Sequence, residues 1–161
     1  MTIKVGDKLP EATLMHMTDK GPTPVKTSEL FAGKKVVLFA LPGAFTPTCS
    51  NQHLPGFVQK AGELQSKGVD LIACLSVNDA FVMDAWGKSQ GADDKVIMLG
   101  DGNGDFTKAV GLDFDGSGFG MGTRSLRYSM LIEDGVVKEL NKEENPGEAK
   151  VSGAEHMLSQ L

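Results

Sequence analysis

Apolar residues along this chain fall into two alternating patterns. Lys35-Val36-Val37-Leu38-Phe39-Ala40-Leu41 is a continuous β-prone run, as expected of a strand buried on both faces of a parallel sheet. Val69–Val77 repeats the pattern, and Val96-Ile97-Met98-Leu99 gives a third, shorter run. Between the first two, from about Cys49 to Lys67, Leu54, Phe57, Val58, Ala61 and Leu64 recur at spacings of three and four, which predicts a helix with one apolar face. Pro55 is expected to kink this helix within its first turns and Gly68 to close it. Asn78 or Asp79 should cap a second helix through Trp86 and Lys88, and Phe106–Val110 reads as a short helix. Farther on, Arg127–Ile132 and Val136–Leu140 flank Glu133-Asp134-Gly135, and Asp-Gly between β-prone runs signals a hairpin. Ser152-Gly153-Ala154-Glu155 has capping-box spacing ahead of a terminal helix carrying Met157, Leu158 and Leu161. Residues 1–34 are punctuated by glycine and proline, with apolar pieces only around Ile3–Val5 and Ala12–Met17. This order predicts one α/β domain over residues 1–161: a three-layer α/β/α arrangement, a central mixed sheet and an N-terminal extension.

Composition narrows the function. With 161 residues, 40% of them hydrophobic and 23% charged, the chain can build a packed core and is not expected to be disordered. The net charge of −5 is spread along the sequence without a Lys/Arg cluster, which argues against nucleic acid or an anionic membrane as partner. No apolar run approaches the roughly 18 residues of a membrane span. The first residues carry neither a secretory h-region nor an Arg/Ser-rich transit pattern. Only two cysteines are present, Cys49 and Cys74, too few for a disulfide-stapled scaffold. A reducing compartment is expected, and a cytoplasmic location with it.

Cys49 lies where a buried strand has ended, a Pro-rich turn intervenes and a long helix begins. A helix N-terminus presents free N–H groups and the positive end of the macrodipole, so a cysteine there is a candidate reactive thiolate. Pro47 suits the helix entrance, because its missing N–H is not needed there. No Cys-x-x-Cys occurs, which excludes an internal dithiol of the disulfide-oxidoreductase kind. Cys74, within the second buried run, reads as a small core residue.

The segment Pro42-Gly43-Ala44-Phe45-Thr46-Pro47-Thr48-Cys49 closely resembles the P-x-x-x-T-x-x-C signature of the peroxiredoxins. Residues 42–57, PGAFTPTCSNQHLPGF, are similar to the type II, or peroxiredoxin 5-like, subfamily. Lys4–Asp7, Cys74–Val82, Trp86-Gly87-Lys88 and Arg124–Tyr128 extend the likeness over essentially the whole chain. The resemblance implies a thioredoxin-like fold and a thiol-dependent peroxidase acting on hydrogen peroxide and alkyl hydroperoxides, with no bound cofactor. By the same resemblance Cys49 is the cysteine that attacks peroxide and becomes a sulfenic acid. Thr46 presents its hydroxyl to the thiolate and the peroxide, Pro42 shields the sulfur from water, and Arg127 is the active-site arginine, preferred over Arg124. Backbone N–H groups of Thr48 and Cys49 would help hold the substrate. A homodimer is implied, with its interface near the active-site turn and the Trp86 region.

One departure from the pattern bears on the catalytic cycle. Some type II members carry a resolving cysteine before the last helix, but here Glu148-Ala149-Lys150-Val151-Ser152-Gly153 contains none. An external thiol is therefore expected to reduce the sulfenic acid, and the resemblance to type II members without the late cysteine implies glutathione and glutaredoxin, or thioredoxin, as donor. The alternative is a redox sensor or partner-binding module whose Cys49 oxidises without turnover.

Other signals lack the context that their chemistry needs. Gly87-Lys88-Ser89-Gln90-Gly91 matches G-x-S-x-G but follows a helical segment instead of a strand. Asp101-Gly102-Asn103-Gly104-Asp105 begins like a calcium loop, but Phe106 stands at the glycine position and Leu112 at the bidentate glutamate position. His16, His53 and His156 show no metal-ligand spacing, so no metal is predicted. His53 is a candidate to line the site, with a capping or surface role as the alternative.

Overall fold

The computed structural model describes residues 2–161. Its centre is a seven-stranded sheet in the order β2-β1-β5-β4-β3-β8-β9. The strands are β1 (Thr13–Thr18), β2 (Gly21–Lys26), β3 (Lys35–Ala40), β4 (Leu71–Ser76), β5 (Ile97–Gly100), β8 (Tyr128–Glu133) and β9 (Val136–Lys142). A separate two-stranded ribbon pairs β6 (Asp113–Asp115) with β7 (Thr123–Ser125). Strands β3, β4 and β5 run parallel, and β8 pairs antiparallel with β3. Helices α1 (Thr27–Phe31), α2 (Leu54–Ser66), α3 (Ala80–Ser89), α4 (Asp105–Ala109) and α5 (Ala154–Ser159) complete the structure.

The continuous apolar run in β3 follows from its central place. Side chains alternate across a strand, so Val37, Phe39 and Leu41 enter a core with α2, α3 and α5. Val36, Leu38 and Ala40 enter the opposite core, with Phe31, Phe106 and Val110. Both faces are covered, which gives the expected α/β/α layers of a thioredoxin-like fold around a mixed sheet.

Local details refine the expectations. Asp134 (φ +48°) and Gly135 (φ +79°) both adopt the left-handed conformation required by the β8–β9 turn. Asp79 caps α3, its carboxylate accepting from the Val82 N–H at 2.8 Å. Asp79→Ala should cost about 1 kcal/mol and lower the thermal midpoint by roughly 2–4 °C, to be read by calorimetry.

The structure refines two expectations and corrects a third. The glycine- and proline-punctuated N-terminal region holds the β1–β2 hairpin. Pro22 and Pro24 are tolerated because β2 is the sheet's edge strand, where a missing N–H need not break a ladder. Pro55 sits in the first turn of α2, downstream of helical winding that begins at residue 47. The turn before it, Cys49–His53, is π-wound, with the Leu54 N–H bonded to the Cys49 carbonyl; the wider winding relieves the clash of a proline ring with the preceding turn. Ser152 does not cap α5: Gly153 holds the cap position, and the Ser152 N–H and hydroxyl both donate to Glu143 Oε2 (2.7 and 2.6 Å).

Candidate active site

Strand β3 delivers the chain to Pro42 at one end of the sheet, and the turn that follows is held from several sides. The Ser76 hydroxyl reaches the Leu41 carbonyl (3.1 Å) and Asn78 Oδ1 (2.8 Å), and Asn78 Oδ1 also accepts from the Ala44 N–H at 3.0 Å. Gly43 sits at a close approach: a Cβ there would lie 3.1 Å from Arg124 Nη1, 3.2 Å from Thr46 Cγ2 and 3.3 Å from Met121 Cε. Phe45 has a φ of +65°, a conformation that strains a bulky residue.

Helical winding begins at residue 47, and the Ser50 N–H reaches the Thr46 carbonyl at 2.9 Å. The N–H groups of Thr48 and Cys49 therefore precede the helical ladder, as first-turn donors do. Cys49 itself is fully buried, in the first turn as expected. Arg127 Nη2 donates to its sulfur at 3.1 Å.

Arg127 stands immediately before β8 and is 3% exposed. Its Nη1 donates to His53 Nδ1 at 2.9 Å and its Nε to the Pro146 carbonyl at 3.1 Å. Among the described residues no carboxylate pairs with this guanidinium. The neighbour in its hydrogen-bond set able to take negative charge is the Cys49 sulfur. A buried cation without such a partner would be strongly unfavourable.

Arg124 does not reach the sulfur. It donates through Nη1 to the Pro42 carbonyl (3.3 Å) and through Nε to the Met121 carbonyl (2.9 Å). This ties the active-site turn to the Gly-rich loop between β6 and β7. Thr46 Oγ1 donates to the Gly43 carbonyl at 2.6 Å, so its hydrogen is engaged and its oxygen lone pairs remain available. Pro42 is half-buried beside the turn.

His53 belongs to this site, which its place four residues after Cys49 hinted at without deciding. It is 1% exposed, and its Nε2 bonds the Ser152 carbonyl at 3.0 Å. Arginine can only donate and a carbonyl can only accept, so the ring carries its proton on Nε2. Burial first, and the Arg127 charge second, lower the His53 pKa to about 3, and the ring is neutral at working pH. The segment following β9 closes over the same site: the Thr48 hydroxyl donates to the Gly147 carbonyl at 2.9 Å.

Cys74 packs in the same apolar core as Cys49, and both thiols are free. Burial first, and then a charge on Cys49, raise the Cys74 thiol well above its ordinary range. It is a neutral thiol at physiological pH. Among the described residues no group of three or more His, Cys, Asp or Glu side chains is arranged to hold a metal. No described helix is long and apolar enough to cross a membrane.

A parallel βαβ unit flanked by an antiparallel hairpin, with a buried cysteine in the first helical turn beneath an arginine, defines a thioredoxin-like thiol protein. Residues 4–158 match the Redoxin family model. The chain is 57% identical over 165 residues to peroxiredoxin-2E, chloroplastic, of Arabidopsis thaliana, covering 99% of this chain and 70% of that protein. It is 46% identical to peroxiredoxin-2B of the same plant, covering 99% and 98% of the two chains. The crystal structure of reduced Prx3 in complex with hydrogen peroxide from Vibrio vulnificus matches with a TM-score of 0.94, 55% identity and 99% coverage of both chains. The chain belongs to the peroxiredoxins, in their type II, peroxiredoxin 5-like branch, and is a thiol-dependent peroxidase of antioxidant function.

Proposed function

We propose that this peroxidase runs a one-cysteine cycle in which Cys49 takes oxygen from hydrogen peroxide or an alkyl hydroperoxide and an external thiol removes it. The carrying observation is the 3.1 Å contact between Arg127 Nη2 and Cys49 Sγ. The Cys49 thiolate attacks the nearer peroxide oxygen, an S–O bond forms and the O–O bond breaks. Sulfur is oxidised by two electrons to the sulfenic acid, and the departing hydroxide or alkoxide takes up a proton. Negative charge thus moves from sulfur to the leaving oxygen. The remaining N–H donors of Arg127 and those of Thr48 and Cys49 hold both ends of that shift. The Thr46 oxygen accepts from the peroxide O–H, and Pro42 keeps water from the sulfur. Preorganised donors of this kind are worth about 3–4 kcal/mol each.

The external donor is inferred from Cys74. A buried, neutral thiol is a poor resolving nucleophile, and residues 148–153 offer no other cysteine. The first donor thiol forms a mixed disulfide with Cys49 and releases water, and a second thiol frees Cys49 as a disulfide leaves. Glutathione with glutaredoxin is the preferred donor, thioredoxin the other. A reducing compartment, for which we favour the cytoplasm, suits this cycle. Turnover assays with each donor supplied separately test it: many peroxide molecules consumed per protein with at least one donor are expected. Consumption of a single equivalent under every condition would reduce the protein to a redox sensor.

A second copy of the chain is the proposed partner for the face beside the active-site turn. Phe45 is 57% exposed at that turn and its strained ring lies 6.4 Å from that of Trp86, while Phe81, near the start of α3, is 64% exposed. Analytical ultracentrifugation should find a dimer that Phe45→Glu shifts to monomer; an unchanged dimer in that variant would place the interface elsewhere.

A further inference from the structure

We propose that His53 is a positioning residue for the peroxide reaction: its Nδ1 accepts from Arg127 Nη1 and so aims Nη2 at the Cys49 sulfur. This rests on the reading of Cys49 as the attacking residue. An arginine side chain has a planar fork of five donors, and a fork bound at one end is free to swing. Here Nε is fixed on the Pro146 carbonyl at 3.1 Å and Nη1 on His53 Nδ1 at 2.9 Å. With two edges of the plane held, the direction of Nη2 follows, and it meets Sγ at 3.1 Å.

The ring is itself oriented from behind. His53 Nε2–H donates to the Ser152 carbonyl. Ser152 is clamped by Glu143 Oε2, which accepts from both its N–H and its hydroxyl. Glu143 is anchored in turn, since its N–H donates to the Arg127 carbonyl at 3.0 Å. The chain of bonds therefore leaves Arg127 by its guanidinium and returns to it by its backbone. The rings of Phe39 and Phe57, centred 5.0 and 5.7 Å from the imidazole, complete its surroundings with apolar surface. Water cannot readily replace the lost acceptor in such a place, so removal of the imidazole leaves one Arg127 donor unpaired and the fork free to turn. Neutral throughout the working range, His53 orients a charge and transfers no proton.

The test is stopped-flow measurement of peroxide reaction, followed by Trp86 fluorescence, in full-length protein. His53→Leu should lower the second-order rate constant about 100-fold, the scale at which a misplacement of about 1 Å acts on a reacting group. His53→Asn returns an acceptor oxygen close to the Nδ1 position and should recover most of that loss. The pH–rate profile should lose no limb between about pH 5 and 8, the range where an ordinary histidine titrates.

Glu143→Ala, which loosens Ser152 without touching the core, should act in the same direction to a smaller extent; it carries the test if His53→Leu fails to fold. Peroxide rates unchanged in the folded variants would overturn the positioning role, as would a lost pH limb, which would make His53 a proton-transfer group. If the unmutated protein reacts with peroxide no faster than a free thiol, the reading of Cys49 itself falls, an outcome visible before any variant is made.

Discussion

Cys49→Ser should reduce peroxide consumption to the protein-free background, while Cys74→Ala retains most of it. The two thiols share one apolar core and are both buried, so burial does not distinguish them. Their polar surroundings do. Cys49 has Arg127 Nη2 at 3.1 Å and lies in the first turn of helical winding. Cys74 sits in the middle of β4, paired in register with Phe39 and Met98, and burial drives its thiol away from ionisation. A serine hydroxyl at position 49 stays protonated at neutral pH and cannot attack the O–O bond at a useful rate. Alanine is the better probe at 74, because a serine there risks a buried unsatisfied hydroxyl costing about 1–3 kcal/mol. The measurement is peroxide loss with excess donor thiol, accompanied by mass spectrometry of protein treated with equimolar peroxide. A sulfenic acid or its thiol adduct at Cys49 is expected. A dominant Cys49–Cys74 disulfide, or lost turnover in Cys74→Ala, would overturn the one-cysteine cycle.

Arg127→Ala should lower the peroxide rate constant by about 10²–10³, the usual effect of removing one preorganised donor from a developing anion. Arg124→Ala should do far less. Arg124 donates to the carbonyls of Pro42 and Met121, so its removal loosens a turn but takes no donor from the reacting atoms. Arg127 is buried with the sulfur before it and His53 and Pro146 around it. Truncating it removes the charge facing Cys49 and leaves the His53 acceptor unpaired in the core. Stopped-flow peroxide kinetics on both variants decides the order; a larger loss in Arg124→Ala would exchange their roles.

Much of this site is legible in the sequence. The strand, the Pro-rich turn and the helix start around Cys49 were legible because each rests on local rules: a two-sided apolar run, proline punctuation, and apolar spacings of three and four. The β8–β9 hairpin was equally local, set by Asp134-Gly135. The β1–β2 hairpin was not, because Pro22 and Pro24 argue against a strand until its edge position is known. The role of Ser152 is non-local for a similar reason. Its spacing to Glu155 fits a capping box, but the stronger acceptor for its N–H and hydroxyl is Glu143, brought close by the return of the chain after β9.

The choice between the two arginines drew on family resemblance, and the geometry is what separates them: Arg127 on the sulfur, Arg124 on a carbonyl. His53 shows the same limit most sharply. Four residues after Cys49 it could equally have been a surface or capping residue; what makes it a neutral acceptor is Arg127 on one side and Ser152 on the other, 74 and 99 residues away in the chain. By itself the sequence determined the elements, the placement of Cys49 at a helix start and the absence of a third cysteine, since these follow from neighbouring residues and from counting. Only the tertiary structure decided which donors face the sulfur and how they are held, because those contacts join segments that no local rule relates.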